Sequence, residues 1–185
     1  MRTMPDQNLI PVLTTMKQVE RFLDSSLDIC LIQDVHFSLL KEIMRILHEH
    51  SKIGLVHIEL IHGISNDEYG AQILTQQLRV DGIISSKPKI IETAKKNNAL
   101  AVQRVFLIDS KSLTRSMASV NESLPDAVEV MPALTFPMFP YIRQQTQVEL
   151  WAGGLVKNEE TARAVLKAGA KRITVSDLEL CIKLR

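Results

Sequence analysis

The sequence predicts an α/β protein folded as a compact (β/α)8 barrel of the TIM-barrel type, in a single domain with short loops. Apolar strand-like runs alternate with segments of helical spacing, which is the pattern of a parallel sheet. Eight such units can be counted, and eight favour closure into a barrel over an open sheet. The 185 residues suffice for one core, and no linker divides residues 1–185. An open flavodoxin-like sheet remains the alternative if one or two strands are misassigned.

The predicted strands begin near residues 9, 28, 54, 81, 99, 126, 147 and 171. The first, Leu9–Leu13, is a short apolar run broken by a proline. The second, Asp28–Gln33, is a continuous apolar run, as expected for a strand buried on both faces. The third, Gly54–Leu60, is apolar with an unusually polar end. Asp81–Ser86 and Ala99–Phe106 supply the fourth and fifth strands, and the remaining three follow the same alternation.

Helix signals fall between these strands. Apolar spacing predicts a helix from Met16 to Leu23. Ser65, with Glu68 three residues later, resembles a capping box for a helix that runs to about residue 78. Pro88 occupies the permitted first turn of another helix, and Asp109 or Ser110 caps the next. The last helix, 178–184, is short enough to leave one flank of the barrel uncovered, which suggests a homodimer.

Composition excludes some classes of partner. The formal net charge is +1, so no overall basic excess indicates nucleic acid or a membrane surface. Cys30 and Cys181 have no metal-type spacing and are predicted to be reduced core thiols of a cytoplasmic protein. The sequence has no recognisable signal peptide and no apolar run long enough to span a membrane.

The clearest local signal is an apolar strand from residue 148 that ends at Gly153 and Gly154. Paired glycines let backbone N–H groups approach an anion closely. A second strand ends at Thr174 and Ser176, where a helix begins. The ends of the seventh and eighth strands are the usual phosphate site of a (β/α)8 barrel, so these four residues are predicted to bind phosphate. The alternative is that the glycines form only a tight turn and Ser176 only caps a helix.

Other polar residues end neighbouring strands and should therefore share one mouth. The residues predicted to contact a small ligand there are Asp34, His36, Glu59, Gln103, Arg104 and Glu129. Arg104 and Glu129 lie within strands, and a salt bridge inside the barrel explains them equally well. No spacing forces His36, His57, Glu59 and His62 into a metal site, so we predict no metal. No motif fixes a catalytic base, and no catalytic residue is assigned.

A family resemblance rests on four segments in order. They are 57–69 (HIELIHGISNDEY), 81–86 (DGIISS), 101–110 (AVQRVFLIDS) and 152–155 (AGGL). Together they resemble the glycerol uptake operon antiterminator regulatory proteins of bacteria, and the similarity extends from about residue 10 to 176. Each segment alone is weak, whereas their ungapped order is fairly specific.

The resemblance implies a small (β/α)8-like barrel that binds glycerol 3-phosphate and an mRNA leader, and that prevents transcription termination at glycerol-metabolism operons. It implies no cofactor besides this effector and no membrane partner. The sequence itself has no arginine-rich or base-stacking motif, so RNA would need a local basic patch. The residues suggested for that patch are Lys87, Lys89, Lys95 and Lys96. Two alternatives remain: a phosphosugar isomerase or lyase on the same barrel, and a sensor that acts through a protein partner.

Overall fold

The computed structural model describes residues 4–185 and confirms a closed parallel barrel surrounded by helices. The strands of this region, in chain order, are β1 (Leu9–Leu13), β2 (Ile29–Ile32), β3 (Val35–His36), β4 (Ile53–His57), β5 (Ile61–His62), β6 (Gly82–Ser85), β7 (Leu100–Phe106), β8 (Ala127–Met131), β9 (Glu149–Gly153) and β10 (Arg172–Val175). The barrel contains all of them except β3 and β5, and β1 pairs with β10 to close it. The open-sheet alternative is therefore wrong.

Helices follow the barrel strands, as the alternating pattern predicts. They are α1 (Met16–Leu23), α2 (Phe37–Glu49), α3 (Glu68–Gln72), α4 (Pro88–Lys96), α5 (Ser110–Ser123), α6 (Phe139–Gln145), α7 (Glu159–Lys167) and α8 (Leu178–Lys183). A π-helical turn, Ile73–Gln77, continues α3, and a 3₁₀ segment, Ala133–Met138, precedes α6. No helix of the described region is long and apolar enough to cross a membrane.

Alternation along the strands decides which side chains enter the barrel. On β7, Leu100 and Val102 belong to the inner cluster, whereas Ala101 and Val105 pack in the layer between barrel and helices. Trp151 on β9 lies in the inner cluster and is almost fully buried. Because successive side chains point to opposite faces, Arg104 follows Val102 inward and Gln103 points outward.

Two predicted helix starts are corrected. The residue that caps α3 is Asp67, whose side chain accepts from the Gly70 amide at 2.9 Å, so Ser65 is not the N-cap. Asp177, and not Ser176, caps α8. In both places several residues of a short polar run could accept a hydrogen bond from the first turn, and the carboxylate does so. Asp109 caps α5, as predicted.

Several helices end in a residue with left-handed backbone conformation that is not glycine. Ser51 has φ 57°, and the Lys52 amide after it donates to Leu47 O at 2.8 Å. Asn98 has φ 59°, with the Ala99 amide bonded to Ala94 O at 3.0 Å. These are Schellman-type ends, in which glycine is the residue with least strain.

The short helix α8 does not leave an apolar flank open. Leu178 and Cys181 are buried, and Glu179 pairs with Arg21 on α1 at 2.8 Å. Within the described residues, none of the large apolar side chains of α8 is exposed. The sequence argument that placed a dimer surface on this flank is therefore not supported. Cys30 and Cys181 are free thiols and both are buried.

Candidate functional site

A buried ionic network crosses the inside of the barrel near its carboxyl end. Arg104 on β7 donates to Glu129 on β8, with 2.6 Å between Nε and Oε2. Thr174 on β10 donates to the other oxygen of Glu129. Arg104 also contacts His57 on β4, with 3.0 Å between Nη1 and Nδ1. These four side chains join strands from opposite sides of the barrel, and each is less than a tenth exposed.

His57 is held as a neutral imidazole. Burial and the positive charge of Arg104 together lower its pKa to about 4, against the opposing charges of Glu59 and Glu129. The Arg104 guanidinium lies against the edge of the ring, with Nη1 3.0 Å from Nδ1 and 3.3 Å from Nε2. Nε2 is 3.4 Å from Glu59 Oε2. His57 therefore links the buried network to the mouth.

Glu59 is the central residue of the mouth. Its Oε1 accepts from Ser85 Oγ at 2.8 Å, from the Ser86 amide at 2.7 Å and from Ser86 Oγ at 3.0 Å. Burial raises the pKa of Glu59, but these hydrogen bonds outweigh it and keep the pKa below its usual value. The other oxygen, Oε2, is buried and makes no hydrogen bond, although His57 Nε2 lies 3.4 Å from it. A buried carboxylate oxygen without a donor is costly, and a ligand hydroxyl would satisfy it.

Asp34 and His36 also lie at this mouth, after β2. Asp34 is exposed and has φ 55°, and its amide donates to Leu60 O at 2.8 Å. Its negative charge is among those that oppose the lowering of the pKa of His57. His36 is partly occupied, because its Nδ1 caps α2 by accepting from the Ser38 amide at 3.2 Å. Asp34, His36 and Glu59 are thus brought to one side of the mouth, and their contact with a ligand stays a prediction.

The other three predicted ligand contacts are Gln103, Arg104 and Glu129, and the structure places only the last two inside the barrel. Gln103 faces outward, where Nε2 donates to Ser119 on α5 at 2.9 Å and Oε1 accepts from Ser123. Two consecutive strand residues cannot both line the mouth, so Gln103 does not belong to it. Arg104 and Glu129 do point inward, but they form the salt bridge that was the alternative explanation of their position.

The four residues predicted to bind phosphate divide into two pairs. A Cβ on Gly153 would overlap Thr174 Oγ1 and lie 2.7 Å from Glu129 Oε1, so Gly153 is small because the network occupies that space. Thr174 has one hydroxyl proton and donates it to Glu129, which leaves none for a phosphate. Gly154 has φ 79°, and Ser176 is exposed at the start of the loop before α8. Only Gly154 and Ser176 keep the predicted position for an anion.

The four lysines suggested for RNA are all exposed, and two of them already have hydrogen-bond partners. Lys87 is tied to Asn66 and Lys95 to the carbonyl of Leu124. Lys89 and Lys96 are seven residues apart on α4, exposed on the same face beside Glu92, and in the described chain they have no ion-pair partner. The basic patch stays a prediction, and these two lysines are its members whose ammonium groups are most available.

Ser85, Ser86 and His57 are site residues that sequence reasoning did not assign to the ligand. The inward position of His57 was readable from alternation, because it continues Ile53 and Leu55 on the same strand face. Ser86 acts through both its amide and its hydroxyl, and only the fold brings it to Glu59. In residues 4–185, no three His, Cys, Asp or Glu side chains are grouped as metal ligands.

The fold and the mouth define a class: a small parallel (β/α)8 barrel with a charged, hydrogen-bonded carboxylate at the site where such barrels bind small ligands. Residues 9–181 match the family model described as glycerol-3-phosphate responsive antiterminator, and the chain belongs to this family.

Solved structures agree with this assignment. A glycerol uptake operon antiterminator regulatory protein from Listeria monocytogenes superposes with a TM-score of 0.91 and 30% identity, covering 95% of both chains. A glycerol uptake operon antiterminator-related protein from Thermotoga maritima gives 0.79 and 28%, covering 96% of this chain and 99% of that one. A deoxyribose phosphate aldolase from Aeropyrum pernix gives 0.74 at 14% identity, covering 96% and 89%, which reflects the fold alone.

Among curated proteins, the uncharacterized protein YgcP of Escherichia coli (strain K12) is 31% identical over 126 residues. The match covers 68% of this chain and 66% of that protein. The chain thus spans just under two thirds of the length of this relative.

Proposed function

We propose that this protein is a transcription antiterminator that binds glycerol 3-phosphate at the barrel mouth and, in response, binds the leader mRNA of glycerol-metabolism operons. The observation that carries the ligand half is Glu59 Oε2, a buried carboxylate oxygen that lacks a donor. A polyol supplies hydroxyl donors, and Glu59 is kept ionised to accept them.

The phosphate of the same ligand is assigned to the loops after β9 and β10. These strands are neighbours, with Gly153 paired to Thr174, so the loops at Gly154 and Ser176 emerge side by side. Main-chain N–H groups at this position of the fold commonly bind phosphate. Asp34 and His36, on the other side of the mouth, are the candidates for the remaining hydroxyl.

Calorimetry with glycerol 3-phosphate and with inorganic phosphate tests this division. Glu59→Gln keeps the shape of the side chain but removes its charge. The variant should therefore bind glycerol 3-phosphate with an affinity about tenfold or more below that of the wild type, while its affinity for inorganic phosphate should fall much less. Equal losses for the two ligands would contradict the assignment of Glu59 to a hydroxyl.

Gly154→Ala tests the phosphate half and has a matched control. Both Gly154 and Gly169 have positive φ, 79° and 114°, so alanine introduces backbone strain of about 1–2 kcal/mol at either position. Gly169 ends α7 at the opposite end of the barrel. Gly154→Ala should lower the affinity for glycerol 3-phosphate and for inorganic phosphate, whereas Gly169→Ala should change neither affinity. Unchanged affinity in a folded Gly154→Ala protein would remove the loop from the site.

The RNA half is assigned to a surface that includes Lys89 and Lys96. Each phosphate neutralised by a lysine contributes to the salt dependence of binding. Filter binding of the leader transcript at several salt concentrations gives the slope of log affinity against log salt concentration. This slope should be shallower by about 2 in the Lys89→Ala/Lys96→Ala variant. Lys41→Ala, an exposed lysine on α2, is the control. Absence of binding with and without glycerol 3-phosphate would refute the RNA half alone.

We further propose that the protein does not catalyse a reaction, although aldolases share its fold. Lysine forms the Schiff base in one class of aldolase when it is desolvated. Every lysine in the described residues has a side chain in contact with solvent. Steady turnover of a triose phosphate that is lost in Glu59→Gln would overturn this proposal.

A further inference from the structure

Five large apolar side chains are exposed on three adjacent loops at one side of the mouth, and we call this surface the apolar rim. Phe106 ends β7 and Ile108 follows it, Leu134 and Met138 follow β8, and Leu155 follows β9. They are exposed by 50%, 85%, 48%, 43% and 59%, respectively. Such a set on one surface calls for an explanation, whereas single exposed apolar residues do not.

The three loops are joined to one another. The amide of Leu107 donates to Met131 O at 2.9 Å, which links the loop after β7 to the end of β8. The amide of Ala133 donates to Gly154 O at 3.3 Å, which links the loop after β8 to the loop after β9. Because β7, β8 and β9 are also consecutive in the barrel, the rim is one continuous surface.

The centre of the rim carries no charge. Residues 131–142 contain no Lys, Arg, His, Asp or Glu, and they add the half-exposed Tyr141 to Leu134 and Met138. A polyanion such as RNA gains little from such a surface. Depletion of charge, with Met, Tyr and Phe present, is instead the composition of a protein–protein interface.

The area of the rim fits a dimer. The five exposed fractions together equal nearly three fully exposed large side chains, or roughly 500 Å² of apolar surface. A standard interface buries about 800 Å² per partner, and about 65% of it is apolar in homodimers, which is again about 500 Å². A net charge of +1 leaves little repulsion between two copies.

We propose that the apolar rim is the interface of a homodimer, in which a second copy of this chain packs about a two-fold axis through the loop after β8. In such an interface the segments meet in reverse order, so the side next to β7 faces the side next to β9 of the other copy. Lys111 and Arg115 flank the first side and Glu160 flanks the second, whereas Glu159 is paired with Arg163 and Lys183 of its own copy. This pairing needs neither the effector nor RNA.

Sedimentation of the full chain without glycerol 3-phosphate or RNA is the test. The wild type should be a dimer at about 100 µM, where even a Kd near 10 µM gives mostly dimer. Ile108→Asp and Met138→Asp should each raise the dimer Kd by about 30-fold or more, because each places two carboxylates in an apolar interface.

Leu124→Asp is the matched control. Leu124 is 58% exposed, as much as Leu155, but it ends α5 at the opposite end of the barrel, so its replacement should leave the dimer Kd unchanged. Circular dichroism of all three variants establishes that they are folded. A wild type that is monomeric at this concentration overturns the proposal. A wild-type dimer whose Kd rises with Leu124→Asp, but not with Ile108→Asp or Met138→Asp, overturns it as well. A wild type that pairs only in the presence of RNA or of another protein also overturns it.

Discussion

The variant Gly153→Ala tests whether residue 153 must be small because the barrel interior is filled there or because a phosphate binds there. The added methyl group enters the barrel, where it overlaps Thr174 Oγ1 and lies 2.7 Å from Glu129 Oε1. Glu129 is fully buried and Thr174 nearly so, so neither can move into solvent. Alanine reduces the entropy of the unfolded chain and thereby stabilises by about 0.5–1 kcal/mol. Overpacking of a core costs about 1–3 kcal/mol, and a strained network loses about 1–3 kcal/mol more.

The expected net result is a loss of about 1–5 kcal/mol in the free energy of unfolding, which is the sum of these terms. Urea denaturation followed by the fluorescence of Trp151 measures it, because this single tryptophan is buried on the same strand. With a slope near 2 kcal/mol/M, the midpoint should fall by about 0.5–2.5 M.

A double-mutant cycle identifies the colliding group. In a Thr174→Ala background one of the two contacts is absent, so Gly153→Ala should cost about 1 kcal/mol less than in the wild type. Gly82→Ala is the control, since its Cβ would meet Leu100 and Leu55 and should be additive with Thr174→Ala. A Gly153→Ala protein of wild-type stability that no longer binds glycerol 3-phosphate would refute the packing explanation and restore the phosphate one.

Three further predictions concern stability and use the same denaturation assay. Arg104→Ala should lower the free energy of unfolding by about 3–5 kcal/mol because Glu129 is left as an unpaired buried charge, and a loss under 1 kcal/mol would contradict this. The pKa of His57 is lowered to about 4 in the folded protein, so the unfolded chain takes up the proton at higher pH, and the free energy of unfolding should fall as pH drops from about 6.5 towards 4. His57→Gln should reduce that fall. An unchanged pH profile in this variant would count against a neutral His57. Ser51→Gly should stabilise by about 0.5–1 kcal/mol because it relieves a left-handed helix end, whereas a loss would show that the strain is small.

The barrel was predictable because its strands are marked by composition and spacing. Every predicted strand start lies within two residues of the observed start, and the closure into a barrel followed from counting eight units. The two-residue strands β3 and β5 were not predicted, because segments of that length carry no periodicity.

The site was predictable only in part. Position at a strand end brought Asp34, His36 and Glu59 to the mouth, but it could not distinguish inward from outward side chains in adjacent positions. The register of β7 in the barrel makes that distinction. It turns Gln103 away from the mouth and places Arg104 inside the barrel. Gly153 shows a second limit, since a small residue indicates only that space is needed, and the fold alone reveals which group occupies it.

The small sheet of β3 and β5 has a consequence for the thermodynamics of ligand binding. Val35 pairs with Ile61 and His36 with His62, so the loops after β2 and β4 are fastened to each other outside the barrel. A Cβ at Gly63 would lie 2.6 Å from His36 Nε2, which shows how closely the two segments pack. This side of the mouth is preformed, and a ligand there has little conformational entropy to remove. Slow amide exchange in these loops before any ligand is added would be its signature.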